Sequence, residues 1–272
     1  MAVRWWALAG VMLIAFTGPA PAIEIPLDGE FTQGGLLIGL APEGARVALD
    51  GTPQPVAADG AFLIGLGRDA PARILLEVRL GGKIIFKRAL QIGGRVYDVQ
   101  RIDGLPRRKV TPSAEDLLRI KKESTALAAA RSLLSDDSSF RSGFAWPALG
   151  RISGVYGSRR ILNGKPRRPH FGVDVAAPEG TPVHAAAAGR VAFAHPGMFF
   201  NGKTVIIDHG LGLTSVYLHM SAITVKSGAR VKKGEMIGRI GTTGRVTGAH
   251  LHWGMRHGAT PVDPQLLVPP MK

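Results

Sequence analysis

The sequence predicts a mainly β protein: a small N-terminal β-sandwich (Ig-like), one linking helix and a C-terminal antiparallel β-sheet domain. Three observations carry this reading. The 272 residues include 36 glycines and 19 prolines, which demand many turns. Apolar runs are short and separated by turn dipeptides such as Asp50-Gly51, Asp59-Gly60 and Gly81-Gly82. Helical periodicity is confined to one stretch, residues 113–135. Hydrophobic residues make up 45% of the chain, enough for real cores, and the length suits two domains.

Residues 1–22 read as a signal peptide. Arg4 supplies the positive start, Trp5 to Phe16 an apolar run, and Ala20-Pro21-Ala22 a small-x-small cleavage site, with the cut expected after Ala22. The run is shorter than the roughly 20 residues of a spanning helix, so no stable membrane anchor is expected after cleavage. The chain has no cysteine, which removes lipid attachment through a lipobox and any disulfide. An exported protein follows, with a Gram-negative periplasm favoured over an extracellular location.

Residues 23–100 supply five to seven short strands, among them Leu36 to Leu40, Arg46 to Leu49, Ala61 to Leu66, Arg73 to Leu80 and Lys83 to Leu90. The last two flank Gly81-Gly82 and read as a hairpin. No histidine occurs here, so binding, spacing or substrate positioning is the expected role. Residues 101–143 form the linker. Gly104, Pro106 and Pro112 interrupt regular structure over 101–112. Ser113 then stands as a helix N-cap with Asp116 in the capping-box place, and Leu117, Ile120, Leu127, Leu133 and Leu134 recur at helical spacing to about residue 135.

From residue 144 to 272 the pattern is again β with frequent glycine. Strands are expected near Arg151 to Tyr156, His170 to Ala176, Gly189 to Ala194, Lys203 to Asp208, Leu213 to His219, Met236 to Ile240 and His250 to Met255. The formal charge of +14 is concentrated here, since residues 145–272 hold 16 Lys/Arg against 5 Asp/Glu. A basic exported chain suits an anionic partner. Nucleic acid is disfavoured, because aromatic residues reach only 6% and no binding module is recognisable.

Three stretches carry the chemistry. On a strand, side chains alternate between faces, so His250 and His252 share one face of His250-Leu251-His252-Trp253. In His170-Phe171-Gly172-Val173-Asp174 the histidine and aspartate share a face, with Gly172 leaving the space between them open. In Tyr217-Leu218-His219 the tyrosine and histidine share a face with Ser215. Each stretch alone fits a hydrogen-bonded structural histidine; together they fit a metal centre.

The order His-x3-Asp, Tyr-x-His, His-x-His resembles the LytM/lysostaphin-type zinc metalloendopeptidases that cut peptidoglycan peptides. Val205 to Gly210, Gly234 to Gly238, Gly241 to Gly244 and Thr247 to His252 match as well. The likeness covers roughly residues 145–265, and residues 23–143 resemble the appended region of some Gram-negative members more loosely. The resemblance implies a LytM-type fold and Zn2+ bound by His170, Asp174 and His252. His219 and His250 would be the catalytic pair, His250 moving the proton and His219 stabilising the oxyanion. It further implies peptidoglycan as partner, cut at cross-links or stem peptides. Gly254 stands where many relatives have Glu, and Ala249 where Pro often precedes the His-x-His stretch. Tyr217 and the basic loop residues Arg167 and Arg168 are expected to contact substrate. A non-enzymatic regulator of other wall hydrolases, or a wall-binding module, is the alternative. A biotinyl-type carrier lacks its lysine motif. His184, His195, His209 and His257 fall outside the pattern and are expected to be structural or exposed.

Overall fold

The computed structural model describes residues 23–132 and 134–271. Residues 1–22, expected to be a signal peptide, lie outside the described residues, as do Leu133 and Lys272.

The N-terminal strands are β1 (Leu27–Asp28), β2 (Leu36–Leu40), β3 (Arg46–Leu49), β4 (Thr52–Gln54), β5 (Ala61–Gly65), β6 (Arg73–Leu80) and β7 (Lys83–Gln91). They form two antiparallel sheets, ordered β1-β2-β5 and β4-β3-β6-β7. Gly81 and Gly82, both at positive φ, close the β6–β7 hairpin that the sequence predicts. Between the sheets, Leu37, Val47, Phe62, Ile64, Leu76 and Val78 pack into one core. The other face of β2 and β5 is apolar too. Its Leu36, Ala61 and Leu63 join the core of the C-terminal half. A strand buried on both faces needs apolar residues at consecutive positions, as in Ala61-Phe62-Leu63-Ile64.

Residues 101–112 are more ordered than their glycine and prolines predict. β8 (Val99–Ile102) runs into them, and α1 (Arg107–Val110) follows Pro106, whose fixed φ suits a helix entry. The main helix, α2 (Ala114–Arg131), starts where expected. Ser113 accepts from the Asp116 N–H, and Asp116 accepts from the Ser113 N–H, a complete capping box. It ends four residues early. Ser132 caps it, and Ser135 has turned to the neighbouring sheet, where its Oγ donates to Asp208 and its carbonyl accepts from Leu211. Only Leu127 and Ala130 of its apolar residues are buried, against Met198, Ile206 and Val216.

The C-terminal half contains β9 (Arg151–Gly154), β10 (Arg159–Leu162), β11 (Lys165–Arg167), β12 (Val173–Ala176), β13 (Pro182–His184), β14 (Gly189–Met198) and β15 (Gly202–Gly210). β16 (Leu213–Met220), β17 (Ala222–Ile223), β18 (Arg230–Val231), β19 (Met236–Arg239), β20 (Leu251–His257) and β21 (Thr260–Val262) complete it. One large sheet, ordered β18-β14-β15-β16-β20-β12-β9, is the frame, with β21 added beside β20. The smaller sheet β13-β19-β17 contributes Val183 and Ile237 to the same core as Trp253, Met255 and Tyr217. Residues 159–167, expected to be a loop, form the hairpin β10–β11 over the turn Asn163-Gly164, both at positive φ. β8 pairs in parallel with β10, so the strand leaving the N-terminal half edges the C-terminal half.

Candidate metal centre

Sheet register assembles the site. Asp174 on β12 lies opposite His252 on β20, and His252 lies opposite Leu218 on β16. Residues directly opposite share a face, so this row is the cleft face, while Tyr217 and Trp253 in the next row point into the core.

His170 precedes β12 rather than lying on it, contrary to the expected strand. Its N–H donates to Ser158 O and its Nδ1 lies 3.1 Å from Val155 O. A carbonyl only accepts, so Nδ1 carries the proton and Nε2 presents a lone pair to the cluster. There Nε2 lies 2.8 Å from His252 Nδ1 and 3.0 Å from Asp174 Oδ1. His252 Nδ1 lies 2.8 Å from the same carboxylate oxygen. Three ligand atoms of the kinds zinc takes thus converge on one point. In a tetrahedral zinc site such atoms sit about 3.3 Å apart, so a few tenths of an ångström of expansion would admit the ion.

The space for this convergence is held open by glycine. A Cβ at Gly172 would lie 2.5 Å from Trp253 O and 2.7 Å from His252 Cε1, and one at Gly154 would lie 2.5 Å from Asp174 Oδ2. The donor set and the cradle fit a zinc ion. Asp174 keeps its second oxygen for Arg160, whose guanidinium donates to Oδ2 at 2.6 Å. Burial pushes Asp174 upward, but the neighbouring imidazoles of His170 and His252 outweigh it and hold the carboxyl well below its usual range. For His252 burial dominates, taking it down to about 4 despite Asp174.

The other two histidines flank the cluster. The ring centroids of His219 and His250 are 4.9 Å apart, and His250 Nε2 lies 3.9 Å from Asp174 Oδ1. Their Nδ1 atoms are tied to carbonyls, His219 to Thr243 at 2.9 Å and His250 to Gly248 at 2.9 Å. Both Nε2 atoms are left without a proton when the rings are neutral. Burial, then the neighbouring His250 and His252, hold the pKa of His219 well below 6.5. His219 reaches the cleft by a backbone device. Its φ is 68°, a left-handed conformation costing a non-glycine residue about 1 kcal/mol or more. The kink turns His219 towards the row that strand alternation would have given to Leu218.

That kink also corrects the place of Tyr217. Its side chain does not share the face of His219; it is fully buried, and its hydroxyl accepts from the Ala186 N–H and from Ser215 Oγ. It cannot touch a substrate in the cleft. His209 completes that buried network through Ser215 and Ala188, the structural role expected of it. Arg167 and Arg168 do line the cleft, where Arg167 donates to Val110 O and Arg168 is exposed. The same cleft is lined by Leu117 and Ile120 of α2 with Phe200 and Asn201. Gly254 is required locally, because a Cβ there would lie 2.8 Å from Phe171 O.

Sequence reading missed Thr243 and Arg245, and placed Arg160 only among the basic residues of the loop before His170, without its bond to Asp174. Thr243 lay within a quoted motif, but only the folded loop brings its carbonyl to His219.

A structure described as a putative peptidase M23 from Pseudomonas aeruginosa matches 88% of this chain and 95% of its own, at 30% identity and a TM-score of 0.67. The chain belongs to peptidase family M23. The model of Peptidase family M23 matches residues 168–264, the span that holds all five site residues. Among curated M23 relatives, the DD-carboxypeptidase/endopeptidase Mpg of Neisseria meningitidis serogroup B is 43% identical over 115 residues, 42% of this chain and 26% of that protein. The peptidoglycan DD-endopeptidase ShyA of Vibrio cholerae serotype O1 is 42% identical over 116 residues, covering 42% and 26% respectively. The match therefore spans about a quarter of these relatives' length.

Proposed function

We propose that this M23 protein is a zinc-dependent endopeptidase hydrolysing peptide cross-links or stem peptides of bacterial peptidoglycan. The observation that carries the reading is the convergence of His170 Nε2, Asp174 Oδ1 and His252 Nδ1 beside two further histidines, each held through Nδ1 by a backbone carbonyl. The names of the Neisseria and Vibrio relatives supply the substrate class.

When bound, zinc supplies Lewis-acid polarisation and lowers the pKa of its water to about 7. His170, Asp174 and His252 would hold the ion. His250, fixed through Gly248, offers Nε2 to take a proton from the attacking water and return it to the leaving amine. The tautomer of His219 shifts its role from the one the family likeness implies. A bare Nε2 accepts, so His219 donates to an oxyanion only after taking a proton, which its burial opposes. The two rings then divide the work, His219 accepting from water to orient it and His250 exchanging protons.

In this reading residues 1–22 direct export to a periplasm, 23–100 form the sandwich domain, 101–143 the linker and 144–272 the peptidase domain. Digestion of purified cross-linked muropeptides, with mass spectrometry of the products, tests the activity. Wild type should cleave a peptide bond and leave the glycan intact. His219→Ala and His250→Ala should each lose about 10²-fold or more of the rate while retaining zinc. Absence of cleavage by the zinc-loaded wild type would refute it.

A further inference from the structure

Among the described residues, Arg245 of the cleft has no counter-ion. Arg245 lies on the loop from Gly241 to Gly248, two residues beyond the Thr243 carbonyl that fixes His219. Its backbone N–H donates to Phe200 O, and its guanidinium stacks over the Phe200 ring at 4.4 Å. The residue is half-buried, and its side chain makes no hydrogen bond or ion pair with a described residue. It lines the cleft beside His170, His219 and His252, and also the adjoining hollow beside Asp174 and His250.

Its neighbours sharpen the imbalance. Arg160 and Arg167 share the same cleft wall. Arg160 is paired with Asp174, which leaves that carboxylate no charge to spare, and Arg167 donates only to the carbonyls of Val110 and Pro166. Burial takes Arg245 down to about 10, and the charges of Arg160 and Arg167 add to that. Holding a third guanidinium in this wall therefore costs stability. A planar fork already oriented by an aromatic ring loses little freedom on gripping a carboxylate.

We propose that Arg245 is a specificity-determining residue that binds a free carboxylate on the peptide substrate, next to the scissile bond. The proposal rests on the peptidoglycan reading above and adds the feature of the peptide that is recognised. Phe200 sets the plane of the guanidinium, and Arg160 and Arg167 make the surrounding field positive. An amidated peptide of the same sequence would leave that field uncompensated.

The test crosses the residue with the ligand. Full-length wild type, R245Q and R245K are assayed on cross-linked muropeptide dimers with free carboxylates and on the same dimers amidated. Amidation alone should raise KM of wild type with kcat little changed, an outcome that needs no variant to fold. R245Q should lose about ten- to a hundredfold in kcat/KM on the free-acid dimer, the worth of a charge-assisted pair. On the amidated dimer wild type and R245Q should converge. R245K, which keeps charge without the fork, should fall between them. Equal losses on both dimers, or a wild type indifferent to amidation, would overturn the carboxylate assignment alone. Failure of wild type to cleave either dimer would overturn the peptidoglycan reading itself.

Discussion

Replacing Gly172 with alanine isolates the contribution of the cradle to the metal centre. Gly172 has no positive φ, so the substitution acts through space rather than through backbone strain. Its new methyl would stand 2.5 Å from Trp253 O, 2.7 Å from His252 Cε1 and 2.8 Å from His252 Nε2. Ordinary contact begins near 3.4 Å, so the carbonyl clash is about 0.9 Å deep and must be relieved by movement. Trp253 cannot yield cheaply, because β20 is paired with β12 on one side and β16 on the other. The His252 ring or the entry to β12 moves instead, and both carry ligands. Metal sites tolerate displacements of about 0.5 Å. Zinc affinity should therefore fall about tenfold or more, with stability lower by about 1–3 kcal/mol. Competition with a fluorescent chelator reads the first and thermal unfolding of the metal-free protein the second. Gly197→Ala is the control, since a Cβ there meets nothing within 4 Å. If G172A binds zinc as tightly as G197A, the cradle argument is wrong.

Other perturbations separate ligands from neighbours. His170→Ala, Asp174→Ala and His252→Ala should each abolish stoichiometric zinc, as measured by metal analysis after dialysis at low free metal. Leu63→Ala should cost about 2–5 kcal/mol and lower the unfolding temperature of the catalytic half, because Leu63 belongs to its core. Acidification should destabilise the metal-free protein in a defined window. His209, His219 and His252 all have folded pKa values below 6.5 because they are buried, so the unfolded chain takes up their protons first. Stability contributed by keeping them neutral is present above pH 6.5 and is lost as the pH falls below it. Unfolding midpoints in urea between pH 7.5 and 5 should decline; a flat profile would show that these rings are already charged or exposed.

Local signals were legible in the sequence wherever they were sufficient. Ser113 and Asp116 cap α2 as read, and the Gly81-Gly82 hairpin forms, because each depends on residues a few positions apart. The His-Leu-His row followed from strand alternation alone. Where long-range pairing decides, the reading failed. The hairpin of residues 159–167 is stabilised by β8, some 60 positions earlier, and nothing local announces that partner. Alternation also misplaced Tyr217 beside His219, because the left-handed kink at His219 breaks the parity of β16. The early end of α2 reflects Asp208 and Leu211 capturing Ser135, again a tertiary event.

That same β8 pairing links the N-terminal half to the candidate metal centre. Gln100 on β8 donates from Nε2 to Ser153 O, and its Oε1 accepts from Arg160 Nε at 3.2 Å. Arg160 in turn grips Asp174 Oδ2 at 2.6 Å, leaving Oδ1 to face His170 and His252. The relay Gln100–Arg160–Asp174 orients the carboxylate through a fork fixed at both ends, and partners of this kind are worth about 10–100-fold in metal affinity. Arg160→Ala should fall in that range. Gln100→Ala should cost less, several-fold, since Arg160 keeps its charge and its bond to Asp174 but loses its brace. The double variant decides whether the two act in series. If Gln100 works only through Arg160, removing it from the R160A background should change zinc affinity by less than twofold. Additive losses, each as large as in the single variants, would mean that Gln100 supports the site by another route, through Ser153 and β9, and the relay would be abandoned.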